Sequence, residues 1–283
     1  MSPESTKREV FITPRPKLQL VPWRELWEYR TLILLFVRRD FISSYKQTIL
    51  GPLWFVIPPL IQTFVFTMIF GRVAKIDTGA APQSLFFMSG VLVWTFFSST
   101  LSKSAGTFTG SAGLFDKVYF PRLIIPLTGI VNNFLTFSIQ FLLFLGIYFF
   151  YSASFHTVDP MHAIILAPLA IVQLSMLALG AGCLVTSFAT KYRDFAMMLG
   201  FGIQLWMYGS CVVYPLSAVS EEWQWVLLLN PVVPVIENFR FAFFGETIVT
   251  LPQMLFGWFV TIIILASGLL SFNRAESNFV DTA

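Results

Sequence analysis

The sequence predicts an all-α membrane protein: six transmembrane helices, an N-terminal amphipathic helix lying in the membrane interface, and short re-entrant helices before the last span. Three observations predict it. The 283 residues are 56% hydrophobic and only 12% charged, against about 25% charged in soluble domains. Apolar runs close to the ~20 residues that cross a bilayer recur along the chain. Lys and Arg gather beside alternate runs, the pattern that keeps those loops cytoplasmic. The length suits one membrane domain. It divides into a cytoplasmic lead-in (1–22), an interface helix (23–48) and a six-helix domain (49–283).

The lead-in carries Pro3, Pro14, Pro16 and Pro22 among mixed charges and reads as irregular. It does not resemble a cleaved signal peptide: the first apolar run, Leu32–Val37, is flanked by charges and followed by no small-residue cleavage pattern. From Trp23 to Lys46, residues Trp23, Leu26, Trp27, Ile33, Leu34, Val37, Phe41 and Tyr45 recur at helical spacing. Arg24, Glu28, Arg38, Arg39 and Lys46 fall mostly off that stripe. Such a helix lies along the interface with its basic side toward anionic headgroups. An ordinary soluble amphipathic helix has the same spacing.

The expected spans are Leu53–Phe70, Leu85–Leu101, Leu123–Tyr151, Ala163–Phe188, Ala196–Tyr214 and Leu251–Phe272. Pro58 and Pro59 predict a kink in the first. The third and fourth exceed one crossing and can tilt or project. Lys7 to Lys46 precede the first span, Lys103, Lys117 and Arg122 follow the second, Lys191 and Arg193 the fourth, and Arg274 the last. The other side holds Arg72, Lys75 and Arg240 with Glu221, Glu222, Glu237 and Glu246. Both termini are therefore expected in the cytoplasm, as is the charged stretch 113–126, GLFDKVYFPRLIIP. Pro121 there marks where one local helix stops and another begins.

Residues 215–250 fall outside on this count, yet Trp223–Leu229 and Phe239–Phe244 are too apolar for a simple loop. Two short helices dipping partway into the membrane fit, because irregular backbone at that depth must be buried in protein or line a cavity. Arg240 at a helix centre costs about 2.5–3.5 kcal/mol on insertion scales. Glu237, three residues earlier, shares its helical face. The pair is either a functional lining or mutual neutralisation.

Other chemistry is absent from the sequence. No GxxxxGK[ST] phosphate loop occurs, and no HExxH or paired-cysteine metal pattern. Cys183 and Cys211 sit in apolar runs as small hydrophobes. His156 and His162 read as solvated loop residues, and no catalytic or metal-ligating set is assigned. The six expected spans hold no Asp or Glu, which counts against ion coupling, since ion-driven carriers keep carboxylates there. Uphill transport would then draw its energy from a partner.

The segment WRELWEYRTLILLFVRRDFISSYKQTILGPLWFVIPPL, from Trp23 to Leu60, resembles the opening of permease subunits of polysaccharide ABC exporters, the O-antigen and teichoic-acid class of type-2 ABC transporters. Tyr45-Lys46-Gln47-Thr48, then Leu50-Gly51, then Leu53-Trp54 carry the likeness. DKVYFPR (Asp116–Arg122), KYRD (Lys191–Asp194) and NPVVPVIENFRFAFFG (Asn230–Gly245) resemble later signatures in the same order. Ser44 departs from a family position that is often basic.

The resemblance implies a homodimer of permease chains, two copies of a separate ATPase that binds ATP and Mg, a lipid-linked glycan substrate, and no nucleic acid. It implies a bacterial inner (cytoplasmic) membrane. Asp116, Lys117, Tyr119, Phe120, Pro121 and Arg122 would form the ATPase-coupling loop, with Trp23, Arg24, Trp27, Arg30, Arg38 and Arg39 on the interface helix beside it. Glu237, Asn238 and Arg240 would belong to an extracytoplasmic gate at 215–250. Trp54, Phe64, Trp206 and Tyr208 could line a path and stack on sugar faces, although most aromatics in such a chain face lipid or pack between helices. A type-2 ABC permease for a smaller lipid or drug shares this architecture. A membrane-embedded glycolipid enzyme would need an acid or nucleophile inside the spans, and none is found.

The side assignment gives a direct expectation. In spheroplasts, a Lys117→Cys variant reacts with a membrane-impermeant maleimide only after permeabilisation. Reaction in intact spheroplasts would invert every assignment above.

Overall fold

The computed structural model describes residues 21, 23–79, 81–110, 120–151, 160–189, 194–245 and 247–282. Asp116, Lys117, Tyr119, Lys191, Arg193 and His156 lie outside that set. Among the described residues every regular element is a helix.

The N-terminal helix comes in two pieces, α1 (Trp23–Glu28) and α2 (Arg30–Tyr45). Gln47 in the left-handed region (φ 67°) and Gly51 (φ 53°) turn the chain from α2 into the first span. That span, Gly51–Val73, is composite: a 3₁₀ turn (Gly51–Phe55), α3 (Ile57–Phe66) and a π-helical turn (Thr67–Val73). Pro58 and Pro59, expected to kink this span, stand where it passes from the 3₁₀ turn into α3. They stand in the first turn of α3, where a missing N–H has no intrahelical partner to lose.

The remaining helices are α4 (Gln83–Ala105), the short α5 (Thr107–Gly110), α6 (Ile124–Tyr151), α7 (Pro160–Ala189), α8 (Asp194–Tyr208), α9 (Glu221–Leu228), α10 (Val232–Phe244) and α11 (Leu251–Thr282). Five described helices, at 51–73, 83–105, 124–151, 162–189 and 251–276, are long and apolar enough to cross a membrane.

The expected fifth span, Ala196–Tyr214, is helical only as far as Tyr208. Its 15 residues, rising about 1.5 Å each, fall short of a ~30 Å hydrocarbon core. The ring of Trp206 meets Trp94, in the middle of α4, at 6.5 Å, so α8 stops near mid-depth. Beyond it the chain leaves helical geometry at Gly209, and Cys211 adopts φ 55°. Residues Ser210 to Val213 are nonetheless buried.

The expected re-entrant pair is present in form. α9 and α10 meet at 104° across a short break. Asn230, at their junction, donates its Nδ2 to Gly209 O and Ser210 Oγ, both at 2.9 Å. Pro234 packs near Gly257, well inside α11, while Phe243 O accepts the Tyr148 hydroxyl at the far end of α6. The hairpin therefore enters to the depth where α8 ends and returns to the surface it came from.

α4 is the axis of the bundle. Of its membrane-spanning window 78% is buried, against 17% for the first span, which puts α4 at the centre and α3 on the outside. Around α4 stand α3, α6, α7, α8 and α10, and α11 packs on the far side of α7. Two helix crossings are backbone to backbone. A Cβ on Gly268 of α11 would overlap Gly180 O of α7, and one on Gly180 would stand 2.6 Å from Leu265 Cα. A Cβ on Gly182 would collide with Ser104 of α4. Lipid gives apolar helices no hydrophobic reason to associate, so such close approach and its dispersion contacts carry the packing.

Gly180→Leu and Gly268→Leu are therefore expected to destabilise the protein by more than the about 1–3 kcal/mol of ordinary overpacking. Gly146→Leu, facing open space, is expected to be neutral. Thermal unfolding in detergent checks both; equal midpoints for the Gly146 and Gly180 variants would contradict the crossing.

Candidate functional site

The break after α8 exposes peptide groups in a part of the chain where water is scarce. An unbonded peptide group in hydrocarbon costs several kcal/mol. Arg240 of α10 resolves this. Its Nη1 donates to Cys211 O at 2.8 Å and its Nη2 to Val212 O at 2.8 Å. Nη1 also donates to Glu237 Oε1 at 3.0 Å. The same Oε1 accepts the Leu216 N–H at 3.4 Å. Glu237 and Arg240 thus staple both ends of the 211–216 break to one face of α10, the three-residue spacing placing them together.

The fourth side of the staple is α4. The Phe86 ring lies 3.7 Å from the guanidinium carbon, a cation–π contact in a dry setting. One turn further, Gly90 leaves the room: a Cβ there would stand 2.5 Å from Val212 O and 2.8 Å from Arg240 Nη2. The side chains of Arg240 and Glu237 are 3% and 7% exposed, so this is a buried pair. Of the alternatives left by the sequence, mutual neutralisation is realised, and the pair in addition holds irregular backbone. Asn238 makes no hydrogen bond to the pair, and its Oδ1 is buried without a partner among the described residues.

The opposite end of the molecule gathers the other expected site. Phe120 and Pro121 are buried. Phe120 packs edge-on against Phe36 of α2 at 5.8 Å. Arg122 lies over Phe108 at 5.6 Å and donates to Glu276 O of α11 at 3.4 Å. Phe108 stacks on Phe272 at 5.0 Å. The C-terminal flank of the charged loop is therefore tied to α2, α5 and α11 together, whereas Asp116, Lys117 and Tyr119 lie outside the described residues.

On the interface helix, Leu26, Phe36 and Val37 turn inward, and α2 packs along α6. Trp23 and Trp27 face outward, 75% and 71% exposed, so the tryptophans of the expected stripe do not pack on the bundle. Arg30 donates to Trp27 O at 3.1 Å and lies over that ring at 5.3 Å. Arg24 pairs with Glu28, and Arg38 is exposed. Arg39 binds Asp40 at 2.8 Å. Asp40 also takes Lys103, from the end of α4, at 3.2 Å. Sequence reasoning missed this link, since nothing local pairs residue 40 with residue 103.

The four candidate pathway aromatics separate. Trp206 is packed against Trp94 and Phe97. Trp54, Phe64 and Tyr208 are about half exposed. They lie on the first span and α8, which touch through Gln62 and Met207.

These features define a class: a polytopic helical membrane protein with an interfacial helix at one end and a stapled re-entrant hairpin at the other. The chain belongs to the ABC-2 type transporter family, which its residues 31–244 match. It is similar to the O-antigen export system permease protein RfbA of Myxococcus xanthus, 24% identical over 264 residues, 92% of this chain and 98% of that one. An RfbA of Klebsiella pneumoniae is 24% identical over 250 residues, 88% of this chain and 94% of its own. The polysialic acid transport protein KpsM of Escherichia coli is 22% identical over 216 residues, 75% and 80% of the two chains.

Loss of Arg240 should be severe. Arg240→Ala leaves two carbonyls without donors and a buried carboxylate with only the Leu216 N–H, and is expected to cost about 3–5 kcal/mol. The exchange Glu237→Arg with Arg240→Glu should not rescue it, because a carboxylate at 240 donates nothing to Cys211 O or Val212 O. Thermal unfolding of the three proteins measures this, and full recovery in the exchanged pair would reduce the staple to a simple ion pair.

Proposed function

We propose that this chain is the permease subunit of an ATP-driven exporter that moves a lipid-linked polysaccharide across the bacterial inner membrane. The relatives' names, for O-antigen export and polysialic acid transport, support the substrate class. The observation that carries the mechanism is the wiring at the 120–122 flank. A displacement of the charged loop reaches α2 through Phe120–Phe36 and α11 through Arg122–Glu276.

In this reading a separate ATPase subunit binds ATP and Mg and closes on the loop at Asp116–Arg122. Closure biases the membrane helices only through contacts that differ between its two states. The loop, α1 and α2 lie on the cytoplasmic side with both termini. The described end that carries them holds Arg24, Arg30, Arg38, Arg39, Lys46, Lys103, Arg122 and Arg274, as the positive-inside rule requires. The working unit is two permease chains and two ATPases. The half-exposed wall of the first span and α8, including Trp54, Phe64 and Tyr208, faces the glycan path and the second permease chain. The hairpin α9–α10 is the outer gate.

Charge reversal at Asp116 tests the coupling more cleanly than at Arg122, whose guanidinium also packs on Phe108. With the partner ATPase present, Asp116→Lys is expected to abolish glycan export while leaving the unfolding temperature unchanged. Surface glycan at the wild-type level would sink the coupling role.

A further inference from the structure

The staple has a second face. The outer turn after the first span, the segment following the break, and the chain beyond α10 enclose a cavity of about 370 Å³. Glu237 and Arg240 line it together with Phe86, Phe244 and the hydroxyl residues Thr78, Ser217 and Thr247. The cavity therefore opens at the end of the molecule remote from α1 and α2, and its buried charged pair is the one that holds the 211–216 break.

Of the pair, Glu237 keeps unused capacity. The staple engages only Oε1 of Glu237, leaving Oε2 without a hydrogen bond among the described residues. Arg240 uses its two terminal nitrogens, and its Nε, which donates to nothing among the described residues, is sealed from the cavity. Thr78 Oγ1 donates to Ala81 O and can still accept. Thr247 Oγ1 accepts from Val249 N–H and can still donate. The site therefore offers acceptors and donors side by side with no net charge between Glu237 and Arg240. An anion or a cation would meet a like charge beside its opposite. A neutral polyhydroxylated ring meets neither penalty, because each hydroxyl both donates and accepts. The Phe244 ring supplies an apolar surface for the C–H face of such a ring. The volume stands at the small end of ligand sites, which run from about 300 to 1,000 Å³.

We propose that this cavity binds one pyranose ring of a glycan on the outer side of the membrane, with Glu237 Oε2, its carboxylate held in place by Arg240, as the polar floor. Because the same two side chains hold Cys211, Val212 and Leu216, occupancy is felt directly by the break at the head of the hairpin. That the ring belongs to the exported chain rests on the export reading above. That the cavity takes a pyranose does not.

The test uses full-length protein in lipid nanodiscs carrying Ser217→Cys. Ser217 is exposed at the rim, and the native Cys183 and Cys211 are fully buried, so a polar maleimide reports the rim alone. The probes are free hexoses and N-acetylhexosamines, with mannitol as the acyclic control. At least one sugar is expected to slow labelling several-fold while mannitol does not. Filling the cavity by Thr247→Trp, or by Ile248→Trp if the first unfolds, should erase that protection. Neither residue takes part in the staple, and thermal unfolding verifies each variant. No protection by any sugar, or equal protection in a correctly folded filled variant, would overturn the proposal. Glycan export is measured in parallel. Wild-type protein that exports no glycan defeats the export reading and leaves the labelling result to decide the cavity.

Discussion

The structure turns on one constraint: peptide groups at membrane depth must find partners inside the protein. A continuous helix meets it automatically. This chain breaks one helix halfway and must supply the partners from elsewhere. Arg240 and Asn230 supply them, and each bonds backbone at the break while sitting on or beside the re-entrant hairpin. The cost of bringing a guanidinium to that depth is offset by three charge-assisted hydrogen bonds and the Phe86 ring. The left-handed geometry of Cys211 adds strain of order 1–3 kcal/mol, which persists because its carbonyl is held. Break, hairpin and buried pair are thus one unit: removing any of them leaves the others unsatisfied.

α4 connects that unit to the other end of the molecule. Its outer turns meet Arg240 through Phe86 and Gly90, and its inner end meets the interface helix through Lys103 and Asp40. A helix that touches the staple at one end and α2 at the other gives a physical path for a displacement at the α2 end to reach the hairpin. Its neighbours hold it by close backbone approach at Gly182 and by aromatic contacts such as Phe96–Phe137.

Much of the fold is legible in the sequence because long apolar runs have a single physical solution in lipid. The spans, the interfacial helix and the oddity of 215–250 all follow from hydropathy, charge placement and proline. What escaped was the break within the fifth expected span, which is helical only to Tyr208. Ala196–Tyr214 is apolar throughout, and hydropathy does not register a break whose carbonyls are satisfied by a residue far along the chain. Gly209 was the only local signal. Pro58 and Pro59 marked an irregularity in the first span, but that it takes the form of a 3₁₀ turn opening into α3 was not readable from the prolines alone. At the site, the Glu237–Arg240 pairing was visible as a three-residue spacing. Its bonds to Cys211, Val212 and Leu216, and the space left by Gly90, were not, since they join segments that only tertiary structure brings together. Asp40–Lys103 escaped notice for the same reason.

The backbone contact between α7 and α11 limits how this molecule can deform. With Gly180 and Gly268 seated against each other, no side chain separates the two helices at that crossing. They behave as a single beam rather than as two sliding rods. Freedom is left where side chains intervene: along the outer first span, at the half-length α8, and at the angled junction of α9 and α10. Any opening has to be a swing of those lighter parts against the welded pair, with the pivot at the break itself.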